Sequence, residues 1–159
     1  MKKILALAIT FVMAFGLTAC AGMGDEDPET GERSYVLKFS DQNSEGTPVI
    51  TWAYKFAELL NEKTDGTLTV EIFPNCSLAA YDMEVVQSGI CDFTQYVPSS
   101  ASDLDSRLGA FDAPYLFESE AHRQATFDYS SEPMRVINES LKDDNVLFLG
   151  SFCSGYREV

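Results

Sequence analysis

The chain has few basic residues, a single histidine and no long apolar run after residue 17. Its 11 Lys and Arg residues are outnumbered by 25 Asp and Glu residues, which gives a net charge of −14. This deficit argues against binding to nucleic acid, because no basic surface is available to neutralise phosphates. It argues equally against electrostatic adhesion to an anionic lipid surface. With 159 residues, 45% of them apolar, the chain is long enough for one domain with a buried core.

The sequence also lacks the motifs that carry most enzyme chemistry. It contains no Gly-x-Ser-x-Gly motif, no glycine-rich dinucleotide motif and no Walker loop, so no cofactor is predicted. A zinc site needs more than the lone His122, so no metal is predicted either. Paired carboxylates such as Asp143 and Asp144 lie in loop-like segments, where turn formation is the simpler interpretation. We therefore do not expect an enzyme.

Residues 1–19 have the features of a secretory signal peptide, in which two lysines precede an apolar run. The run ends at residue 17 and is too short to span a hydrocarbon core of about 30 Å comfortably as a helix. Residues 17–20, Leu-Thr-Ala-Cys, resemble the lipobox of bacterial lipoproteins, in which Cys20 would carry a diacylglyceryl thioether. The alternative is an ordinary signal peptide with a chance cysteine. Residues 21–34 are acidic and rich in glycine, and we predict a flexible tether there.

Three cysteines follow Cys20, namely Cys76, Cys91 and Cys153. An odd number cannot be fully paired within one chain, and the spacings fit no metal motif. Secretion permits a disulfide, but the sequence leaves any pairing open. For Cys91 and Cys153, burial as small apolar side chains is the simpler interpretation.

Residues 35–159 alternate predicted strands with predicted helices. We predict strands at 35–39, 67–73, 90–97 and 146–149, and helices that begin at 47, 82, 118 and 133. The first helix has a buried stripe of six apolar residues, Val49, Trp52, Ala53, Phe56, Leu59 and Leu60. The last predicted strand is uniformly apolar, which is typical of a strand covered on both faces. This alternation predicts an α/β fold with a mostly parallel sheet flanked by helices.

Ligands of such sheets bind beyond the carboxyl ends of the strands, which here are residues 41–45, 97–100 and 151–157. Four polar residues in the first two of these segments are candidate ligand contacts, namely Gln42, Asn43, Ser99 and Ser100. Their amides, hydroxyls and backbone N–H groups could donate hydrogen bonds to ligand oxygens. Turn formation or helix capping explains the same residues equally well. Trp52 lies on the apolar stripe, which favours core packing over ligand contact.

Six segments of this region resemble, in order and at similar spacing, the solute-binding proteins of TRAP transporters. They are residues 37–39 with the following polar loop, the helix end at 56–66, and residues 68–75, 89–93, 113–117 and 155–157. The resemblance implies an extracytoplasmic receptor in which two α/β lobes enclose a small organic acid. The receptor would deliver that acid to TRAP membrane permease subunits. By this comparison, residues 35–159 would form a periplasmic-binding-protein-like first lobe, with the second lobe absent.

The resemblance also implies which residues bind the ligand. Arg157 would clamp a carboxylate with its planar guanidinium, although an exposed arginine near the terminus is the alternative. Tyr156, beside it, could contact the carbon skeleton of the ligand. Family members place their principal clamping arginine in a segment that would lie beyond Val159.

Two departures from the family pattern bear on the ligand site. Residues 75–79 read Asn-Cys-Ser-Leu-Ala where the family usually has Asn-Gly-x-Leu-Gly. The loss of both glycines changes the backbone angles open to this turn, so we expect a rebuilt turn. Some sialic-acid binders have a glutamate and an arginine where this chain has Val97 and Ser100, which argues against sialic acid as the ligand.

Together these features predict a lipid-anchored solute receptor on the outer face of the cell membrane or in the periplasm. Its partners would be a small organic acid, the permease and the membrane, with no nucleic acid. The alternatives are a truncated, non-binding surface lipoprotein or protein-interaction module and, more weakly supported, a secreted hydrolase.

Overall fold

The computed structural model describes residues 24–26, 33–80 and 83–153. The predicted signal peptide, Cys20, Tyr156 and Arg157 lie outside the described residues. The chain divides into two compact units, Met1–Tyr35 and Val36–Val159. In the first unit, strand β1 (Asp25–Glu26) pairs antiparallel with the beginning of strand β2 (Arg33–Ser40). The acidic segment predicted as a tether thus contains a short backbone pairing.

The second unit begins with a β-α-β arrangement. Strand β2 leads into helix α1 (Pro48–Lys63), and strand β3 (Leu68–Phe73) returns beside β2 in the same sheet. The Thr47 side chain accepts a hydrogen bond from the Ile50 N–H, and Pro48 occupies the first turn, where its missing N–H costs nothing. These features confirm the predicted helix start, and the alternating burial of β3 confirms the predicted inward side chains.

The remaining helices are short. They are α2 (Glu84–Gln87), α3 (Glu120–Thr126) and α4 (Glu132–Leu141), with 3₁₀ helices at Pro98–Ala101, Ser106–Asp112 and Lys142–Asp144. Each α-helix coincides with a predicted helix, within two residues at most ends. Within the part of the chain that the structure describes, no helix is both long and apolar enough to cross a bilayer.

The predicted strand at 90–97 is reduced to one parallel bridge between Phe39 and Phe93. On one side of the bridge, the Lys38 N–H donates to the Asp92 carboxylate at 2.8 Å. On the other side, the Thr94 hydroxyl donates to the Ser40 carbonyl oxygen at 2.8 Å. These side chains occupy the β2 groups that a longer ladder would need, so the pairing ends after one bridge.

The predicted strand at 146–149 is not formed. The Phe148 N–H donates to Asn138 Oδ1 at 2.8 Å, and Asn138 Nδ2 donates to the Phe148 carbonyl oxygen at 3.0 Å. The side-chain amide on α4 thus takes the place of a neighbouring strand. Only one face of the segment is packed, because Leu147 and Leu149 are about half exposed. The prediction of a strand covered on both faces is therefore wrong.

The apolar residues of the second unit form two buried clusters. One surrounds α4 and contains Ala101, Leu108, Phe127, Met134, Ile137 and Leu141. The other lies between α1 and the sheet and contains Phe39, Ala53 and Val70. The predicted stripe of α1 is buried at Val49 and Ala53, but Trp52 and Leu59 are each 39% exposed. Ile50, outside the predicted stripe, is fully buried.

Candidate functional site

The loops that follow β2 and β3 are joined at the carboxyl edge of the sheet. Asp41, the first residue after β2, donates its N–H to the Phe73 carbonyl oxygen at 3.1 Å. Its own carbonyl oxygen accepts from the Cys76 N–H at 2.9 Å. We call residues 41–46, 74–80 and 94–100 the strand-end loops, since the third segment follows the parallel bridge at Phe93.

Asp41 is the most unusual residue of these loops, because it is charged and only 1% exposed. Its Oδ1 accepts from the Asn43 N–H at 2.7 Å and from Asn43 Nδ2 at 2.6 Å. Its Oδ2 is buried and has no hydrogen-bond partner among the described residues. Asp41 was not among the ligand contacts expected from the sequence, although an acidic residue directly after a strand was a usable signal.

The structure places the predicted contacts Gln42 and Asn43 in the same loop. Gln42 is exposed, and Asn43 is half-buried. One N–H of the Asn43 side-chain amide is already used by Asp41, and the backbone carbonyl oxygen of Asn43 accepts from the Asn75 N–H at 3.0 Å. Among the described residues, Asn43 Oδ1 and its second amide N–H have no hydrogen-bond partner.

The loop after β2 is further fixed at its second half. The Ser44 hydroxyl donates to Asn75 Oδ1 at 2.8 Å, and the Thr47 hydroxyl donates to the Ser44 carbonyl oxygen at 2.8 Å. The Tyr54 hydroxyl donates to Glu45 Oε1, and this hydrogen bond to a carboxylate raises the pKa of Tyr54. The loop after β2 is thus held in place by contacts with the loop after β3 and with α1.

Ser99 and Ser100 lie in the 3₁₀ helix Pro98–Ala101, which follows the bridge at Phe93. The Ser100 N–H donates to the Val97 carbonyl oxygen at 2.9 Å, so this donor is used within the turn. Among the described residues, no hydrogen bond joins these serines to Gln42 or Asn43. Gln42 and Asn43 follow β2, and Ser99 and Ser100 follow the segment that is bridged to it at Phe93. The role of all four in ligand binding stays a prediction.

The turn that lacks the family's glycines has two consecutive left-handed residues. Asn75 has a φ of 55° and Cys76 a φ of 53°. Asparagine tolerates this conformation, but a cysteine there is strained by about 1–2 kcal/mol because its Cβ approaches the following carbonyl oxygen. Ala79, at the second missing glycine, has no positive φ. Only the first of the two replacements therefore strains the turn.

No basic side chain lies within the strand-end loops. Arg123 on α3 approaches the segment after residue 149, where its Nη1 donates to the Ser151 hydroxyl at 2.9 Å. Its Nη2 also contacts Glu120 Oε1 at 2.6 Å, so the cation is already paired with a carboxylate. Sequence reasoning missed this contact because it joins residues far apart in the chain.

Trp52 stacks on two aromatic rings. Its ring stacks on Phe56 at 5.5 Å and on Phe152 at 4.9 Å. Trp52 is nevertheless 39% exposed, so it packs on other aromatic rings at the surface and not in the buried core that its position on the stripe predicted. His122 is exposed, and its Nδ1 accepts from the Glu118 N–H.

The three described cysteines lie in different surroundings. Cys91 is 1% exposed, as predicted, and burial raises the pKa of its thiol. Cys76 is half-buried and Cys153 is exposed, so the prediction of burial is wrong for Cys153. Among the described residues, no group of three or more His, Cys, Asp or Glu side chains could hold a metal ion.

Comparison with known proteins identifies similar chains. A family model described as bacterial extracellular solute-binding protein, family 7, matches residues 39–159. The C4-dicarboxylate-binding protein DctB of Bacillus subtilis (strain 168) is 30% identical over 137 residues, which cover 85% of this chain and 39% of DctB.

Solved structures show the same likeness. A TRAP periplasmic solute binding protein from Ochrobactrum anthropi, with its C-terminus bound in the ligand binding pocket, has a TM-score of 0.63 and 29% identity. That match covers 70% of this chain and 35% of the other. A TRAP periplasmic solute binding protein from Citrobacter koseri with bound D-glucuronate has a TM-score of 0.61 and 25% identity. This second match covers 73% of this chain and 40% of the Citrobacter koseri protein. The chain thus spans less than half the length of these relatives.

Proposed function

We propose that this chain forms the first lobe of a TRAP-type solute receptor, because it belongs to the bacterial extracellular solute-binding protein family 7. The receptor captures a small organic acid outside the cytoplasm and delivers it to membrane permease subunits. The family match over residues 39–159 carries the proposal, because it includes α1, β3 and every strand-end loop. The family is one of binding proteins, so we propose a transport role and no catalysis.

Two observations support a carboxylic acid as the ligand. DctB is named for C4-dicarboxylates, and the Citrobacter koseri protein holds D-glucuronate. In this chain, the polar strand-end loops lie where parallel sheets bind their ligands. The ligand would rest against these loops while a second lobe closes over it. Closure excludes water and strengthens each polar contact.

Within this proposal, individual residues have separate roles. Arg157 donates two parallel hydrogen bonds to a ligand carboxylate, and Tyr156 contacts the carbon skeleton. The side chains of Gln42, Asn43, Ser99 and Ser100 contact other polar groups of the ligand. Since the acidic chain as a whole repels an anion, recognition must depend on such local contacts.

We further propose that the receptor is held at the outer face of the membrane. Residues 1–19 would direct export, Cys20 would carry the lipid, and residues 21–34 would connect it to the folded part. Two acyl chains anchor a protein stably where one does not. The names of the two solved relatives, both periplasmic proteins, support an extracytoplasmic location.

The proposal is tested by ligand binding to the extracytoplasmic part of the protein expressed from its natural reading frame. A panel of small organic acids is screened by thermal shift, and the acids that stabilise the protein are then titrated by calorimetry. We expect at least one acid to raise the melting temperature. Arg157→Ala should weaken the binding of that acid by at least about 10-fold, since a charge-assisted hydrogen bond is lost.

Arg135 provides the matched control. It is an exposed arginine on α4, paired with Glu132, and lies outside the strand-end loops. Arg135→Ala should leave ligand affinity unchanged. Equal effects of the two substitutions would remove Arg157 from the site. If no acid stabilises the protein, the non-binding lipoprotein becomes the better hypothesis.

A further inference from the structure

Trp52 belongs to a set of stacked rings that is partly open to solvent. The planes of Phe56 and Phe152 lie within 9° and 16° of the plane of the Trp52 ring. Trp52 is exposed, and both phenylalanines are half-buried. We call the exposed parts of these three rings the aromatic surface. A contiguous apolar patch of this kind marks a binding surface more often than an isolated apolar side chain does.

The aromatic surface lies at the carboxyl edge of the sheet. Trp52 is in the second turn of α1, and its ring approaches that of Phe39, near the end of β2, at 6.3 Å. Asp41, two residues after Phe39, begins the first of the strand-end loops. From the same turn of α1, the Tyr54 hydroxyl reaches Glu45 of that loop at 2.8 Å. The second turn of α1 therefore borders the loop after β2.

Phe152 links the aromatic surface to the segment that contains the predicted carboxylate clamp. It lies within residues 151–157, in which Arg157 is expected to bind the acid group. Ser151, its neighbour, accepts a hydrogen bond from Arg123 Nη1 at 2.9 Å. This segment is thus held against α3 by Ser151 and against α1 by Phe152. The aromatic surface therefore joins the end of β2 to the segment that leads to Arg157.

The chemistry of the aromatic surface suits an apolar part of a ligand. The phenyl rings carry no polar atom, and the indole of Trp52 has a single N–H donor. A ligand hydroxyl placed against the phenyl rings would lose its hydration without gaining a hydrogen bond. An aromatic ring would instead be removed from water and would also gain offset or edge-to-face contacts. Since the surface is open to solvent, a ligand reaches it without any movement of the lobe.

We propose that Trp52 and Phe152 form an apolar subsite of the receptor, which binds the carbon skeleton of an acid that carries an aromatic ring. Trp52 is then a specificity-determining residue. The ligand class is an aromatic carboxylic acid rather than a hydroxylated sugar acid. Such a site combines a mostly apolar wall with a few polar groups that fix the orientation of the ligand. This inference rests on the proposed function and narrows it to one class of acid.

Matched acids test the proposal on the extracytoplasmic part of the protein expressed from its natural reading frame. Benzoate, hexanoate and gluconate are monocarboxylates with an aromatic ring, an alkyl chain and a hydroxylated chain, respectively. Phthalate, adipate and galactarate form the same series of dicarboxylates. We expect the aromatic acid of at least one series to bind at least about 10-fold more tightly than its hydroxylated counterpart in calorimetric titrations. The alkyl acid should lie between the two, because it leaves water without gaining ring contacts.

Trp52→Ala should abolish the preference. The affinity ratio of the aromatic to the hydroxylated acid should fall to within about 3-fold, because only the aromatic acid gains from the lost ring. Trp52→Phe keeps a ring at this position and should retain most of the preference. Leu59→Ala is the matched control, because Leu59 has the same 39% exposure on the same helix. Leu59 lies about two turns farther from the loop after β2, so its substitution should leave the ratio unchanged.

The outcomes separate this inference from the proposed function. Equal binding of aromatic and hydroxylated acids to the unmodified protein, or tighter binding of the hydroxylated ones, would overturn the aromatic subsite and leave the receptor function standing. That comparison needs no variant, so it holds even if Trp52→Ala fails to fold. A preference that survives Trp52→Ala, or one that Leu59→Ala abolishes equally, would also overturn it. If no acid of the panel binds at all, the proposed function fails first.

Discussion

The side-chain amide of Asn138 forms two hydrogen bonds with the backbone N–H and carbonyl oxygen of Phe148, as a neighbouring strand would. Asn138 Oδ1 accepts from the Phe148 N–H, and Asn138 Nδ2 donates to its carbonyl oxygen. This pairing fixes the segment after α4 and holds the Phe148 ring against Phe127 at 5.9 Å. A polar residue on a helix therefore completes the packing of the apolar cluster around α4.

Asn138→Ala should lower the free energy of unfolding by about 1–3 kcal/mol, because two half-buried backbone groups lose their partners. Urea denaturation followed by circular dichroism measures this change. Glu139→Ala is the neighbouring control, since Glu139 is exposed and its surface ion pair with Lys142 should contribute little to stability. Equal effects at the two positions would mean that the amide does not support the segment.

Cys76→Gly should stabilise the protein, because glycine adopts the observed φ of 53° without a Cβ clash. Relief of about 1–2 kcal/mol of strain is partly offset by the greater freedom of glycine in the unfolded chain. The expected net gain is about 0.5–1 kcal/mol in the free energy of unfolding.

Ala79→Gly is the matched comparison for this turn. Ala79 has no positive φ, so glycine there relieves no strain and costs about 0.5–1 kcal/mol in conformational entropy. In urea denaturation, the free energy of unfolding should therefore rise with Cys76→Gly and fall with Ala79→Gly. If Cys76→Gly lowers the free energy of unfolding, the favourable packing of the thiol outweighs the strain of the backbone.

The β-α-β arrangement was predictable because its signals are local. The side chain of Thr47 and the ring of Pro48 determine the start of α1 within a single turn. At the other end, Asp65 and Gly66 have positive φ and stop the helix. The alternation of residues 68–73 determines which side chains of β3 face the core. None of these features depends on distant parts of the chain.

The two predicted strands are lost because of contacts between separate segments of the chain. Residues 90–97 and 146–149 have the composition of strands, but side chains of Asp92, Thr94 and Asn138 take up the backbone groups involved. The candidate site shows the same division. Gln42 and Asn43 were found from their position after a strand, whereas the burial of Asp41 follows from contacts made by the loop after β3.

Cys20→Ser should release the protein from the membrane if Cys20 carries the lipid. The unmodified protein, expressed in a bacterium with lipoprotein processing, should be recovered in the membrane fraction and should incorporate labelled fatty acid. The variant should lose the label and appear in the soluble extracytoplasmic fraction. Cys153→Ser, which changes an exposed thiol of the folded part, should alter neither property. Equal labelling of both variants would contradict lipidation at Cys20.

Asp105 should make the folded state sensitive to acid. Its carboxylate accepts from Arg107 Nε, Nη2 and N–H and from the Ser140 hydroxyl, and these contacts hold its pKa well below the ordinary value. A depressed folded-state pKa adds stability that is fully present above the unfolded pKa of about 4, and this contribution is lost gradually as the pH falls from there through the folded-state pKa. Asp105→Asn should therefore be less stable than the unmodified protein at pH 7, and the difference should stay constant down to about pH 4 and narrow at lower pH, mostly below about pH 3. Urea denaturation across this range, with exposed Asp103→Asn as the control, measures the effect. A difference that stays constant with pH would show that the ionised form of Asp105 is not what the fold requires.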